Sequence, residues 1–89
     1  MDSGHLRIGE LARRVGVSTE LLRAWERRYG LLEPARSDGG YRLYSDSDVA
    51  RVEAMQAQLA EGLSAAEAAR LARSGVRPAA YSASVARRT

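Results

Sequence analysis

The chain has 89 residues, which is enough for one small domain and too few for two independent hydrophobic cores, so a multidomain enzyme is excluded. It has no cysteine, which excludes disulfide bonds and thiolate metal sites, and no apolar run approaches the roughly 20 residues that span a bilayer. All 14 basic residues are arginine, against 11 acidic residues, and the net charge is +3. We expect a soluble cytoplasmic protein whose arginines suit nucleic-acid binding, because the guanidinium group matches phosphates and base edges.

Charge is distributed unevenly along the chain. The net charge is +2 for residues 1–44, −2 for residues 45–75 and +3 for residues 76–89. The last of these segments combines Pro78 with alanine, serine and arginine and has no apolar period. We predict one folded domain over residues 1–75 and a disordered basic tail or linker over residues 76–89.

The first periodic segment predicts a short amphipathic helix. Ile8, Leu11 and Val15 share one helical face, and Gly16 stops the helix. Ser18 is a good N-cap for a second helix that runs to Tyr29. Two short helices joined by a tight turn that contains glycine are typical of a helix-turn-helix.

The second helix has two faces of different chemistry. At about 100° per residue, the helix has an apolar side and an opposite polar side. The apolar side carries Leu21, Leu22, Trp25 and Tyr29. The polar side carries Glu20, Arg23, Ala24 and Arg27. The apolar side, including Trp25, is predicted to pack in the core. A small alanine between forked donors suits a helix in a major groove, although an ordinary solvated face is the alternative. Thr19, beside free backbone N–H groups, is a candidate phosphate ligand, and Ser18 and Arg28 complete the candidate set on this helix.

A β-hairpin, or wing, is predicted after Pro34. Asp38-Gly39 is a hairpin signal because the primed turns need positive φ. The alternation of the return strand places Tyr41 and Leu43 on one side and Arg42 and Tyr44 on the other. We expect Tyr41 to pack and Arg42 to face outward, while packing and phosphate contact both stay open for Tyr44. The candidate DNA contacts of the wing are Gly40, Tyr41, Arg42 and Tyr44.

Two further helices follow the wing. Ser45 opens the third helix, with Asp46 and Asp48 favourable in its first turn, and its apolar stripe includes Val52 and Met55. Ser64 to Glu67 fits a capping box for a fourth helix that ends by about Gly75. Its alanines recur at helical spacing and predict a small, flat face for close packing.

The sequence offers little for catalysis or metal binding. His5 lies outside the periodic segments and has no second histidine or cysteine to join it, so we predict no metal site and no cofactor in this chain. Asp46 and Asp48 are better explained by the helix dipole than as paired acids. Gly39-Gly40 belongs to a hairpin rather than to a nucleotide-binding motif.

The ordered motifs of the chain closely resemble the N-terminal DNA-binding domain of MerR-family transcriptional regulators. The resemblance covers residues 6 to about 73 and rests on Arg7-Ile8-Gly9-Glu10-Leu11-Ala12, Gly16-Val17-Ser18, the run from Leu22 to Leu32, Pro34 and Gly40-Tyr41-Arg42-Leu43-Tyr44-Ser45. Trp25-Glu26-Arg27-Arg28-Tyr29-Gly30 is most similar to the branch that contains cobalamin-dependent light-sensing repressors. The resemblance implies that a full-length relative can carry a C-terminal cobalamin domain or another effector domain.

The resemblance implies a mainly α, winged helix-turn-helix fold of four short helices with a small β-hairpin. It also implies sequence-specific binding of double-stranded DNA in transcriptional regulation, in association with the nucleoid. The second helix would enter the major groove with Thr19, Glu20, Arg23 and Arg27. The residues implied to hold phosphates are Arg13, Arg14, Arg42 and Tyr44.

Other functions stay open on the sequence alone. One is an excisionase-like architectural protein that bends DNA, and another is a module that binds an acidic, antirepressor-like protein. The chain lacks the heptads of a dimerisation helix, so we expect a monomer in isolation that occupies DNA in tandem or as a dimer. An enzyme ranks last, because no residue set has acid, base or nucleophile roles.

Overall fold

The computed structural model of the protein describes residues 4–75, which form four helices and a two-stranded antiparallel hairpin. The helices are α1 (Ile8–Val15), α2 (Thr19–Tyr29), α3 (Asp46–Ala60) and α4 (Ala65–Ser74), and the strands are β1 (Ala35–Arg36) and β2 (Arg42–Leu43). This is a winged helix-turn-helix, as predicted. Within residues 4–75, no helix is long and apolar enough to cross a bilayer. The predicted tail at 76–89 lies outside the described residues.

The turn between α1 and α2 follows the expected cap chemistry. Gly16 ends α1 in the left-handed conformation, and its N–H donates to the carbonyl of Ala12. Ser18 begins α2 by accepting a hydrogen bond from the N–H of Leu21 on its side-chain oxygen, at 3.1 Å. Val17, between these two residues, is buried in the core. The short connection therefore holds the two helices against one hydrophobic core.

The wing has a longer loop than the sequence predicts. β1 pairs with β2 so that Ala35 lies opposite Leu43 and Arg36 opposite Arg42. The N–H of Ser37 donates to the carbonyl of Tyr41 at 2.9 Å, so three residues, 38–40, form the loop. The positive φ belongs to Gly40, at +86°, and not to Asp38 or Gly39. The predicted primed turn at Asp38-Gly39 is wrong, because Gly40 supplies the left-handed residue that a three-residue hairpin loop requires.

The segment before α1 pairs with the strand end of the wing, which the sequence does not predict. Leu6 and Tyr44 exchange two backbone hydrogen bonds, of 2.9 and 2.7 Å. Gly4 packs so closely on Leu43 that a Cβ atom there would lie 2.3 Å from the carbonyl oxygen. This pairing places Arg7, the residue just before α1, next to the wing.

α3 begins with a buried carboxylate that also holds the chain leading into the wing. Ser45 and Asp48 form a reciprocal capping box, and Asp48 is 0% exposed. The Asp48 carboxylate accepts from the backbone N–H of Glu33 at 2.9 Å and of Ser45 at 3.0 Å, and from Arg51 Nη1 at 3.0 Å. Asp48 is therefore more than a charge placed favourably near a helix dipole.

α3 and α4 pack closely through small side chains, and most of the predicted core is confirmed. The alanine face of α4 is buried against the core, and Val52 and Met55 of α3 are fully buried. Leu22 and Trp25 of α2 are buried as predicted. The prediction for Leu21 is wrong: it lies at the margin of the apolar arc of α2 and is 42% exposed.

Candidate nucleic-acid interface

The outer face of α2 carries the arginines that the sequence analysis singles out. Glu20, Arg23, Arg27 and Arg28 are exposed, and Ala24 between them is half-buried. Thr19 is half-buried at the first turn of α2, and the hydroxyl of Ser18 is already occupied by its cap bond. Arg28 lies near the ring of Tyr29, with 6.0 Å between the guanidinium carbon and the ring centre. The opposite face packs in the core, so α2 separates an apolar side from an arginine side.

The arginines of α2 and the wing open onto one surface. Arg23 and Arg27 line a cleft of about 230 Å³ together with Arg42 of the wing. Arg23 and Arg42 also line a neighbouring cleft of about 220 Å³, and the other residues that line it are Arg7, Ile8, Gly40, Tyr41 and Tyr44. The two clefts share Arg23 and Arg42, so α2, the wing and the residue before α1 contribute guanidinium groups to one continuous region. We call this region, formed by Arg7, Arg23, Arg27 and Arg42, the arginine face.

One carboxylate connects α2 to the wing within the arginine face. Glu26 Oε2 accepts a hydrogen bond from Arg42 Nε at 3.0 Å. Glu26 Oε1 accepts one from the hydroxyl of Tyr44 at 2.7 Å. The side chain of Glu26 is only 17% exposed, so both carboxylate oxygens are committed to residues of the wing end. Glu26 cannot be singled out from the sequence, because only the packed wing brings Arg42 and Tyr44 to it.

Tyr44, for which the sequence leaves packing and phosphate contact open, is packed in the core. Its side chain is 0% exposed, and its hydroxyl donates to Glu26. Burial, and then the hydrogen bond to Glu26, raise the pKa of Tyr44 above the ordinary value of 10.0. The hydroxyl is therefore protonated and occupied, and it is not presented to a phosphate. Arg42 and Tyr44 lie on the same side of the strand end, as alternation predicts, because both donate to Glu26; that side faces α2.

Tyr41 is exposed, which corrects the prediction that it packs in the core. It is 52% exposed, and Arg7 lies over its ring, with 4.1 Å between the guanidinium carbon and the ring centre. A guanidinium group that stacks on a ring keeps the donors along its edge available to another ligand. Arg7 is thus a candidate contact that sequence reasoning missed, because its place beside the wing depends on the Leu6–Tyr44 pairing.

Comparison with known proteins decides the family. Residues 6–75 match the sequence profile of the MerR HTH family regulatory proteins, which is most of the chain. The chain belongs to this family. The MerR-family assignment agrees with the helix-turn-helix, the wing and the arginine face that the structure describes.

Several curated relatives of this MerR-family chain are transcriptional regulators. The chain is 49% identical over 65 residues to the HTH-type transcriptional repressor CarH of Myxococcus xanthus. The aligned region covers 73% of this chain and 22% of the repressor. The chain is 48% identical over 65 residues to the transcriptional repressor CarA of the same organism, over 71% of this chain and 23% of that protein. It is 45% identical over 56 residues to the transcriptional regulator MlrA of Salmonella typhimurium, over 63% and 23% of the two chains. The matches therefore span less than a quarter of the length of these three relatives.

The two arginines at the end of α1 are exposed but paired with acids. Arg13 Nη2 lies 2.6 Å from Glu10 Oε1, and Arg14 Nη1 lies 3.8 Å from Asp46 Oδ1. Exposed ion pairs of this kind are weak and exchange readily for phosphate. In this MerR-family domain the two arginines flank the turn, and their predicted phosphate contacts stay a prediction. Within residues 4–75, no group of three or more histidines and acids is arranged to hold a metal ion.

Proposed function

We propose that this chain is a sequence-specific reader of double-stranded DNA that acts in transcriptional regulation. The observation that carries the proposal is the arginine face, on which guanidinium groups from α2 and the wing line the same clefts. α2 enters the major groove, and the wing lies on the adjoining backbone and minor groove. The family and its regulator relatives support this function.

In the proposed complex, the residues divide between base edges and the backbone. Arg23 and Arg27 reach bases from the centre of α2, with Ala24 small enough to let the helix approach and Glu20 able to accept from cytosine N4. Ser18 and Thr19 place the start of α2, with its free N–H groups, beside a phosphate. Arg28, exposed near the end of the same helix, supplies a further contact in the proposed complex. The remaining backbone contacts come from Arg7, Arg13, Arg14, Gly40, Tyr41 and Arg42.

Two arginine variants test this division. The preferred duplex is first selected from a pool of random-sequence DNA, and the affinities of the selected and random duplexes are measured by fluorescence anisotropy at two salt concentrations. Arg23→Ala is expected to cost about 1–3 kcal/mol on the selected duplex and to relax its sequence preference. Arg42→Ala is expected to lower the affinity for both duplexes alike. It should also reduce the slope of log affinity against log salt concentration by about one unit.

Arg73→Ala is the matched control for the lost charge. Arg73 is exposed on α4 and lines neither cleft of the arginine face. It should leave the sequence preference unchanged. Base reading by α2 is contradicted if the wild-type protein and Arg23→Ala show equal affinity for the selected and the random duplex.

A second candidate function is the binding of an acidic protein on the same surface. The arginine face holds four guanidinium groups around a single committed carboxylate, Glu26, so it also suits a partner that presents carboxylates as DNA presents phosphates. Competition between an acidic protein and labelled duplex would support this function. The absence of any DNA binding at low salt would make it the leading one.

We expect DNA binding to need no added cofactor, and the anisotropy titration is therefore carried out on protein that has been treated with a chelator and dialysed. Loss of binding after this treatment, restored by a metal ion, would contradict that expectation.

A further inference from the structure

Glu26 is an acid inside a surface that is otherwise built to attract phosphates. It lines one cleft together with Arg23 and Arg27 of the same helix and Arg42 of the wing. Electrostatics alone predicts that a negative charge here weakens DNA binding, because it repels the phosphate backbone and offsets one arginine. The hydrogen bonds of Glu26 indicate a different role.

The contact with Arg42 uses Nε, so the end-on edge formed by the two terminal amino groups remains available for bidentate binding of a phosphate. Glu26 accepts from Arg42 Nε at 3.0 Å, and no other carboxylate of residues 4–75 is paired with the two terminal amino groups. The guanidinium group is planar, so holding Nε also sets the direction of the two terminal groups. The Arg42 side chain remains half-exposed and lines the cleft. A long, flexible side chain is thereby ordered before DNA arrives, which lowers the entropic cost of the contact.

The carboxylate itself is held from the buried side. The hydroxyl of Tyr44 donates to Oε1 at 2.7 Å, and Tyr44 is fully buried and paired with Leu6 through the backbone. A hydrogen bond from a buried, rigid group fixes the rotation of the carboxylate. The chain of contacts therefore runs from the core through Tyr44 and Glu26 to Arg42.

We propose that Glu26 is a positioning residue for DNA binding: it orients the guanidinium group of Arg42 toward the backbone phosphates. This inference rests on the proposed function. It assigns to an acid a favourable contribution to DNA binding that acts through Arg42 alone.

A double-mutant cycle tests the dependence on Arg42. Glu26→Gln is made in the wild-type protein and in Arg42→Ala, and affinity for the selected duplex is measured at one low salt concentration. With Arg42 present, Glu26→Gln is expected to weaken binding about threefold to tenfold, although it removes a negative charge from the DNA-binding face. With Ala at position 42, the same change is expected to leave binding no weaker, since there is no guanidinium group left to orient.

Glu53→Gln is the control for the overall change in charge. Glu53 is exposed on α3 and lines neither cleft of the arginine face. It removes the same charge without touching the wing, so it should not weaken binding. The Nε–H signal of Arg42 in a nitrogen-15 spectrum provides a second readout, and Glu26→Gln should shift it while Glu53→Gln leaves it in place.

Tyr44→Phe is a second variant that tests the same contact, and it serves also if Glu26→Gln does not fold. It retains the Glu26 charge and removes only the hydrogen bond that holds the carboxylate. It is expected to weaken binding by a smaller factor, about twofold to threefold, and only when Arg42 is present.

Two results would overturn the positioning role. The first is a Glu26→Gln variant that raises the affinity by the same factor in both backgrounds, because that would show simple charge repulsion. An equal loss in both backgrounds would also overturn it, because Glu26 would then act without Arg42. These outcomes are distinct from failure of the proposed function, in which the wild-type protein would not distinguish the selected duplex from random DNA.

Discussion

At the scale of single residues, Tyr44 links the protonation of one phenol to the stability of the domain. Its hydroxyl is buried and donates to Glu26, and both features favour the neutral phenol. In the unfolded chain the same phenol titrates near its ordinary pKa of 10.0. Because the folded pKa is raised, the folded protein holds this proton more tightly than the unfolded chain. The stabilisation is complete below pH 10 and is lost as the pH rises through the folded pKa.

The wild-type protein is therefore expected to lose stability above about pH 10 more steeply than Tyr44→Phe. The free energy of unfolding, measured by urea denaturation, should differ between the two proteins by a constant amount up to about pH 9. Above pH 10 that difference should shrink by up to about 1.4 kcal/mol per pH unit. Tyr41→Phe, which removes the hydroxyl of an exposed tyrosine, is the matched control and should follow the wild-type curve. A constant difference between wild type and Tyr44→Phe up to pH 11 would contradict the linkage.

At the scale of secondary-structure elements, Asp48 joins the start of α3 to the chain that enters the wing. The carboxylate accepts from two backbone N–H groups, those of Ser45 and Glu33, which are far apart in sequence. Arg51 supplies a third donor on the same helix. The cap of one helix thereby also fixes where the wing begins.

Asp48→Ala is expected to destabilise the domain by about 2–4 kcal/mol. The change leaves a buried backbone N–H of Ser45 without its acceptor and removes one half of a capping box. Asp46→Ala, in the same first turn but exposed, is the control and should cost less than about 1 kcal/mol. Thermal and urea unfolding of the two variants measure the difference. Equal losses would show that only the helix dipole matters at this helix start.

At the scale of the whole molecule, the described surface has no large apolar patch. Within residues 4–75, Leu21 and Tyr41 are the large hydrophobic residues that are exposed, and Arg7 covers one face of the Tyr41 ring. Isolated exposed side chains of this kind do not make a stable protein interface, which buries about 800 Å² on each partner. A single DNA-binding module, in turn, buries only about 600–1,000 Å² on DNA.

The 89-residue chain is therefore expected to be a monomer in solution and to bind best to DNA with more than one site. Sedimentation equilibrium should give a mass near 9.7 kDa at micromolar concentration. A duplex that carries two selected sites in tandem should be occupied by two molecules, whereas a single site binds one. A stable dimer in the absence of DNA would contradict this prediction.

The local elements of this domain could be predicted from the sequence because their causes are local. The starts of α2 and α3 depend on serine caps, the ends of α1, α2 and α4 on glycine, and the buried faces of Leu22 and Trp25 on helical spacing. The division of α2 into an apolar and an arginine face follows from the same periodicity. The resemblance to MerR-family regulators, which the family comparison confirmed, also rests on these short motifs.

The contacts of the wing were decided by tertiary structure. Alternation in two-residue strands does not show which side is covered. The packing prediction for Tyr41 was therefore wrong, and the sequence left the place of Tyr44 open. The pairing of Leu6 with Tyr44 brought Arg7 to Tyr41, and the packing of the wing on α2 brought Glu26 to Arg42 and Tyr44. The sequence by itself determined which side chains carry charge and which helices form. Which of those side chains meet depended on packing between segments up to about 40 residues apart, because spacing along a chain does not specify such contacts.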